Sequence, residues 1–427
     1  MISQQESTVT YRQILLILIA VVCLSSLTGR ADEDTNWVRI QLDARFRSEG
    51  VAAADLNNDG FIDVVAGDVW YQAPKPGSGS YTEASKWTMH ELRMPGEFVA
   101  GKGYSNSFCN YTYDVDRDGW HDVIIIGFPG EPCYWYRNPG VTGGNWAEHQ
   151  IWTSVCNESP KFEDIDGDDI PELVLASQPE AQMGLISISE LAGTSESDVF
   201  HPISKPSAMP KDAGNRGIDN GSFRYSHGLG VSDMDLDGYQ DIIIRFGWWK
   251  APRTIDSKAL WDFHPIRIAT ADGEQPLPDS GHIYARDFDL DGDVDLILSS
   301  AHRHGVWWAE NPGPGAWELH TIDESYSQTH AMEEVDINGD GFLDYVTGKR
   351  FYAHNGADPG GNDPVVMYWY ETKIETGRTP QFIPHEIVAG RNTGIGTQFM
   401  IRDMNADEQP DIVLSNKKGV NVLLQNP

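Results

Sequence analysis

Basic residues are scarce in this 427-residue chain: 31 Lys and Arg stand against 64 Asp and Glu, for a formal charge of −33. A surface of that sign repels polyanions, which argues against nucleic acid as a partner. Cysteine is scarce as well, with four in the chain, so disulfides are not the scaffold. Long apolar runs are missing except at residues 14–24, which follow Arg12 and Gln13 and precede Ser25, Ser26, Thr28, Gly29 and Ala31. That order reads as an export signal over residues 1–31, cleaved after Ala31. The run falls short of the about 20 apolar residues of a bilayer span; a retained anchor is the other reading. No later segment suggests stable membrane insertion, so the mature chain is expected to be secreted, periplasmic or at the cell surface. Signal removal takes Cys23 and leaves Cys109, Cys133 and Cys156, an odd count that leaves at least one thiol unpaired or intermolecular. Cys109 and Cys156 are the pair expected to bridge.

What the chain has in abundance is one acidic motif, Asp-x-Asp/Asn-x-Asp-x-x-x-Asp/Glu. It places oxygen donors at Asp55, Asn57, Asp59, Asp63, at Asp114, Asp116, Asp118, Asp122, and at Asp164, Asp166, Asp168, Glu172. It recurs at Asp233, Asp235, Asp237, Asp241, at Asp287, Asp289, Asp291, Asp295, at Asp336, Asn338, Asp340, Asp344, and at Asp403, Asn405, Asp407, Asp411. The motif starts are 59, 50, 69, 54, 49 and 67 residues apart, a unit copied seven times with insertions. Donors at positions one, three and five converge only where the backbone curls round a small ion, and the ninth-position acid is expected to close the shell. An all-oxygen, flexible cage suits Ca²⁺, up to seven ions in structural roles; seven would bring the charge to about −19.

A short apolar, mostly β-branched run follows each motif, as at 123–126 and 242–244, and reads as a buried strand. A third strand follows, then Asn-Pro-Gly turns at 138–140 and 311–313. A fourth element starts with an aromatic and carries His90, His149, His201, His264, His320 or His385. Six-fold repetition marks these histidines as packing groups. The seventh copy of this element is missing near the C-terminus, while a matching segment, 37–42, precedes the first motif. The N-terminal strand is therefore expected to complete the last unit and remove the open edge. The expected fold is all-β, a single seven-bladed β-propeller with four-stranded blades over 37–427, and a monomer.

The motif and its flanking strands closely resemble the VCBS/FG-GAP-like repeat propellers, in which a calcium loop joins the innermost strand to the second. The resemblance covers roughly 37–427 and implies the fold. For activity it leaves adhesion modules and carbohydrate-active enzymes alike.

If the calcium loops share one face, the residues before each innermost strand share the other. Six places before the motif starts stand Glu49, Phe108, Glu158, His227, Gly281, His330 and Thr397, with His282 and Gln398 one place later. His227, His282 and His330 lie in consecutive units and are expected to converge around the axis, as ligands of Zn²⁺ or Mn²⁺ with an open position or as polar lining of a channel. His302 and His304 belong to the same face. The insertion 205–223 is expected to wall the pocket, with Tyr104–Asn110, Asn157 and Glu158 lining the approach. Tyr104, Tyr225, Tyr284, Trp248 and Trp249 offer faces for sugar rings, and Arg224 and Arg245 offer guanidinium groups for a carboxylate or oxyanion.

The His-bearing face is similar to the propeller part of aldos-2-ulose dehydratases and, more distantly, to propeller polysaccharide lyases. That resemblance implies a metal-dependent lyase that dehydrates or β-eliminates an oxidised sugar. His227, His282 and His330 would be ligands or acid/base groups, and Tyr225 or Tyr284 a proton donor. The alternative is a non-catalytic calcium-stabilised propeller that binds a carbohydrate, a sugar-derived small molecule or a protein.

Overall fold

The computed structural model describes residues 37–191, 199–206, 222–255 and 259–426. The export segment at 1–31 and most of the insertion at 205–223 lie outside the described residues. Regular structure among those described is strand, with a few short 3-10 turns, so the chain is all-β.

The seven acidic turns share one hydrogen-bond pattern. In each, the sixth residue donates its N–H to the first-position carboxylate, as Gly60 does to Asp55 and Gly238 to Asp233, both at 2.8 Å. The seventh residue donates to the fifth-position carboxylate, as Trp120 does to Asp118 at 3.1 Å. Fourth positions are left-handed even where the residue is Arg117 (φ 59°), Leu236 (φ 57°) or Leu290 (φ 60°). Such a backbone costs an L-residue about 1–2 kcal/mol and is kept here by the carboxylates that gather the turn's N–H groups.

The ninth-position acid does something the motif does not announce. Asp63, Asp122, Asp241, Asp295, Asp344 and Asp411 are fully buried, and Glu172 nearly so. One oxygen of Asp295 accepts the N–H of Phe288 inside the turn at 3.2 Å, the other that of Asn311 at the end of the third strand at 2.8 Å. Asp63 likewise joins Leu56 and Ala73, and Asp411 joins Met404 and Gln425. This acid fastens the turn to the third strand, whatever it also gives an ion.

The apolar runs after the turns pair antiparallel on both sides and are wholly buried, as in Asp63–Ala66, Asp122–Ile126 and Asp295–Ser300. Ala52–Ala54, Asp63–Ala66, Val69–Gln72 and Thr88–Glu91 form one four-stranded sheet in chain order. At the far end, Trp37–Asp43 pairs antiparallel with Gly419–Gln425, Trp37 opposite Gln425, so the N-terminal strand does complete the C-terminal sheet. The innermost strands meet from unit to unit: Ala52–Ala54 touches Cys109–Tyr113 and Met400–Arg402, and Lys161–Glu163 touches Leu229–Ser232. Ser280–Arg286 then lies between Leu229–Ser232 and Met332–Val335, which in turn reaches Met400–Arg402. Tyr111 closes the remaining step, its hydroxyl donating to Pro160 O at 2.5 Å and its ring lying 5.1 Å from Phe162.

Five of the repeated outer histidines stand opposite a third-strand tryptophan and stack on it. The pairs are Trp70–His90, Trp135–His149, Trp248–His264, Trp308–His320 and Trp369–His385, with ring centroids 4.2–4.6 Å apart. His201 faces Leu185 instead. The expected Cys109–Cys156 bridge does not form: Cys109, Cys133 and Cys156 are all free and buried. Cys109 Sγ is directed at Glu158 O, 3.7 Å away, and Cys156 Sγ at Ser154 Oγ.

Candidate functional site

Two of the three expected histidines come together, and a glutamate joins them. His330 Nε2 lies 3.1 Å and His227 Nε2 3.5 Å from Glu158 Oε2, and the two imidazoles are 5.0 Å apart edge to face. All three side chains are more than nine-tenths buried. They share a register, each standing six residues before its motif, so the same strand geometry aims each at the same point. His282 stands one place later, in a strand whose pairing slips between Ser280 and Ile283; a one-residue slip turns a side chain to the other face. Its Nδ1 lies 2.7 Å from Met332 O, and it lines a cavity of about 310 Å³ with Lys161 and Glu333. The expectation that His282 completes the cluster is corrected on that ground.

The expected proton donors also sit elsewhere. Tyr284 donates to Met332 O at 2.8 Å and stands 3.2 Å from Glu333 Oε2. Tyr225 packs 5.7 Å from Phe128, and Arg224 lies over both rings while its Nε donates to Pro129 O at 2.7 Å. Trp248 and Trp249 are engaged within their sheet by His264 and Phe263. Arg245 donates its Nε to Leu277 O and pairs with Asp279 at 3.6 Å.

Burial opposes charge on Glu158, but the facing His227 and His330 outweigh it and hold its carboxyl well below the usual range. Burial and the Arg350 guanidinium push His330 down to about 3, so it is neutral. Burial also works against a charge on His227, but Glu158 prevails and raises it. Arg350 is fully buried, with Nη1 3.6 Å from Glu158 Oε2 and Nη2 3.5 Å from Glu49 Oε2. His227 Nε2, Arg350 Nε and Nη1 and Glu49 Oε1 are buried without a hydrogen-bond partner. Four such atoms in one place are a costly arrangement for a protein that binds nothing there.

The sequence reading missed Arg350, Asp279, His354 and Asp358. Arg350 and the last two belong to the long connection between the strands Asp344–Gly348 and Met367–Lys373, outside the repeat and without a fixed offset. Glu158 carried a usable signal, the offset it shares with His227 and His330. Beside the cluster, a cavity of about 690 Å³ is walled by Tyr104, Phe128, Tyr134, Arg93, Asp68 and Glu131. Tyr104 borders both regions, since its hydroxyl accepts the N–H of His354 at 2.9 Å and Arg350 and Lys417 lie over its ring.

The acidic turns fit a hard cation: oxygens of Asp114, Asp116 and Asp122 lie within 4.8 Å of one another. The turns are not equivalent. Arg137 reaches Asp116 and Asp118, and Lys250 reaches Asp235 and Asp237.

Among the described residues no helix is long and apolar enough to cross a membrane. No curated protein matches the chain. An Agrocybe aegerita lectin described as recognising non-reducing terminal N-acetylglucosamine is 15% identical, with a TM-score of 0.41 over 84% of this chain and 83% of that one. Rhamnogalacturonan lyase YesW is 11% identical, with a TM-score of 0.41 over 91% of this chain and 76% of its own. The rhamnogalacturonan lyase of Bacillus licheniformis is also 11% identical, with a TM-score of 0.39 over 92% and 76%. Two stretches, 114–175 and 287–347, match the model of the FG-GAP-like repeat; they run from the second acidic turn into the strand after the third and from the fifth into the strand after the sixth, and that repeat is what this chain shares with a known family.

Proposed function

We propose that the seven turn-and-strand units close into a seven-bladed β-propeller, exported and stiffened by Ca²⁺, that acts as a metal-dependent carbon–oxygen lyase on an oxidised sugar. The observation that carries the chemistry is the buried convergence of Glu158, His227 and His330 beside unpartnered polar atoms of Arg350 and Glu49. Contacts between neighbouring innermost strands, from Ala52–Ala54 round to Met400–Arg402, support the proposed fold.

Two imidazole nitrogens and one carboxylate oxygen are a donor set for Zn²⁺ or Mn²⁺. The distances of 3.1 and 3.5 Å bracket the edge of about 3.4 Å that bonds of about 2.1 Å give in a tetrahedron. Neutral His330 and ionised Glu158 are already in ligating form. A divalent ion there supplies Lewis-acid polarisation of a sugar carbonyl. Arg350 is placed to hold an anionic oxygen through Nε and Nη1. Asp279, an exposed carboxylate within ligand reach of His227 and His302, is placed to accept the proton α to the carbonyl and return it to the departing hydroxyl, which leaves as water as the carbon–carbon double bond forms. Tyr104 and Phe128 offer apolar walls for the ring.

The test is to incubate the metal-loaded chain with keto-sugars and uronates and analyse products by mass. Loss of water or an unsaturated sugar is expected, abolished in Glu158→Gln. Unchanged substrate with measurable binding would replace this reading by a carbohydrate-binding propeller, for which the 690 Å³ cleft would be the seat.

A further inference from the structure

A second trio of ligand-type side chains stands next to the first, held by a different part of the chain. His302 Nδ1 lies 3.4 Å from Asp358 Oδ2, and His354 Nδ1 lies 3.0 Å from both oxygens of Asp358. The two imidazoles are 4.7 Å apart at 30°, and the three ligand atoms lie within 4.8 Å of one another. Each nitrogen stands about 3.0–3.4 Å from the carboxylate, close to the ligand–ligand edge of about 3.4 Å that bonds of about 2.1 Å give in a tetrahedral shell. From His302, His227 is 4.6 Å away on the other side, so imidazoles run continuously from His330 to His354.

The surroundings hold these groups in place as a metal site requires. Gln328 Nε2 donates to Asp358 Oδ2 at 2.9 Å, and its own Oε1 accepts from Lys349 Nζ at 2.8 Å; Gln328 and Lys349 are both fully buried. Gln328 itself is left-handed, at φ 61°. On the connection that brings His354 in, Tyr352, His354 and Asn355 are all left-handed, with φ of 52°, 47° and 54°. Three such residues in four cost a few kcal/mol together, and the bond from His354 N to Tyr104 OH helps retain them. His354 is 41% and His302 20% exposed, so solvent or a substrate oxygen can reach the remaining coordination positions.

We infer that His302, His354 and Asp358 form a second, solvent-facing site for a first-row divalent transition metal, adjacent to the buried site of Glu158, His227 and His330. Its donor set favours Zn²⁺, while the all-oxygen turns favour Ca²⁺, so both ions bind to one molecule without exchange. A partly exposed metal at the rim gives a sugar acid an anchor for a second oxygen.

The test uses the full chain, stripped of transition metal, kept in millimolar Ca²⁺ and titrated with Zn²⁺. Crystals are measured at the zinc edge, and affinity is followed by calorimetry. Two anomalous peaks are expected, one in each trio. His354→Ala, at an exposed position outside the strands, should remove the rim peak, keep the buried peak and weaken the corresponding Zn²⁺ affinity by at least about 100-fold; Asp358→Asn should do the same. No rim peak at saturating Zn²⁺, or a rim peak and affinity unchanged in His354→Ala, overturns the inference. A rim peak without a buried one supports it while overturning the buried metal of the proposed function, so the two readings fail separately.

Discussion

Two populations of histidine occupy this molecule, and their surroundings separate them where residue type does not. On the outer strands, His90, His149, His264, His320 and His385 each lie flat on a tryptophan, and three of them reach a side chain of their own sheet, as His320 does Glu310 at 2.6 Å. Such an imidazole has its face and its edge occupied. At the ends of the innermost strands, His227 and His330 meet edge to face round one carboxylate, and His227 Nε2 is left without a hydrogen bond. An imidazole that stacks within its own sheet packs; one that shares a buried carboxylate with a histidine of another unit is available for chemistry.

The sharpest way to break that comparison is to remove one member from each population. Glu158→Gln or His330→Ala is expected to lower turnover and the metal affinity of the buried trio by at least about 100-fold, read by product formation and by the buried anomalous peak, with the rim site and the calcium content unchanged. His90→Ala, whose imidazole stacks on Trp70 and meets the Gln72 amide, should leave both untouched. If His90→Ala costs as much metal as His330→Ala, the division is wrong.

The acidic turns offer a contrasting test. In the turns, the acids at positions one and five face a third acid or, at Asn57, Asn338 and Asn405, an amide, and Arg137 and Lys250 supply counter-charges to two of the turns. Stripping the chain with a calcium chelator should lower Tm by about 10 °C or more, a change that added Zn²⁺ does not restore. A melting curve indifferent to chelator, with depletion confirmed, would show that the hydrogen-bonded turns hold shut unaided.

Within a single turn, the buried and the exposed acids should differ. Asp295→Ala strands the N–H groups of Phe288 and Asn311 and is expected to cost about 3 kcal/mol or more. Asp291→Ala, at the exposed fifth position, should cost about 1 kcal/mol once calcium is removed, by chemical denaturation. Equal losses would return the ninth acid to the role of ordinary ion ligand.

The half-buried Glu333, beside His282 and Tyr284, adds one contribution to the pH dependence, with the same sign as the buried ninth-position acids, which burial also raises. Burial raises Glu333 to about 7, against the pull of Lys161 and with Glu163 and Glu334 adding to the rise; Tyr284 and His282 complete its surroundings. The folded state therefore keeps a proton that the unfolded chain releases near pH 4.5, so this group's contribution falls as pH climbs through that window and levels off above about 7. Glu333→Gln should flatten the decline of Tm between pH 5 and 7, an effect of roughly 1–2 kcal/mol. A decline just as steep in the variant would mean that another group carries it. The smallest effect is that of the outer stack itself: His320→Ala is expected to cost about 1 kcal/mol, measured by denaturant unfolding.

The acidic motif, the apolar runs and the displaced outer strand were legible in the sequence because each is local or repeated. A turn that gathers N–H groups on three acids is set by nine consecutive residues, and a strand that must cover an edge is recognised by the copy it replaces. The shared offset of Glu158, His227 and His330 was legible for the same reason, since equal positions in equal units face equal directions. What the amino-acid order left open was decided by packing between units. His282 differs from its neighbours by one residue, and only the slip between Ser280 and Ile283 shows that the difference turns the imidazole to Met332. Arg350, His354 and Asp358 lie on an insertion that obeys no repeat, and their place beside His302 and Glu158 depends on contacts between residues as far apart as Arg350 and Glu49, 301 positions in the chain. Local chemistry writes the strands and turns; which side chains meet where those strands converge is a property of the assembled sheets alone.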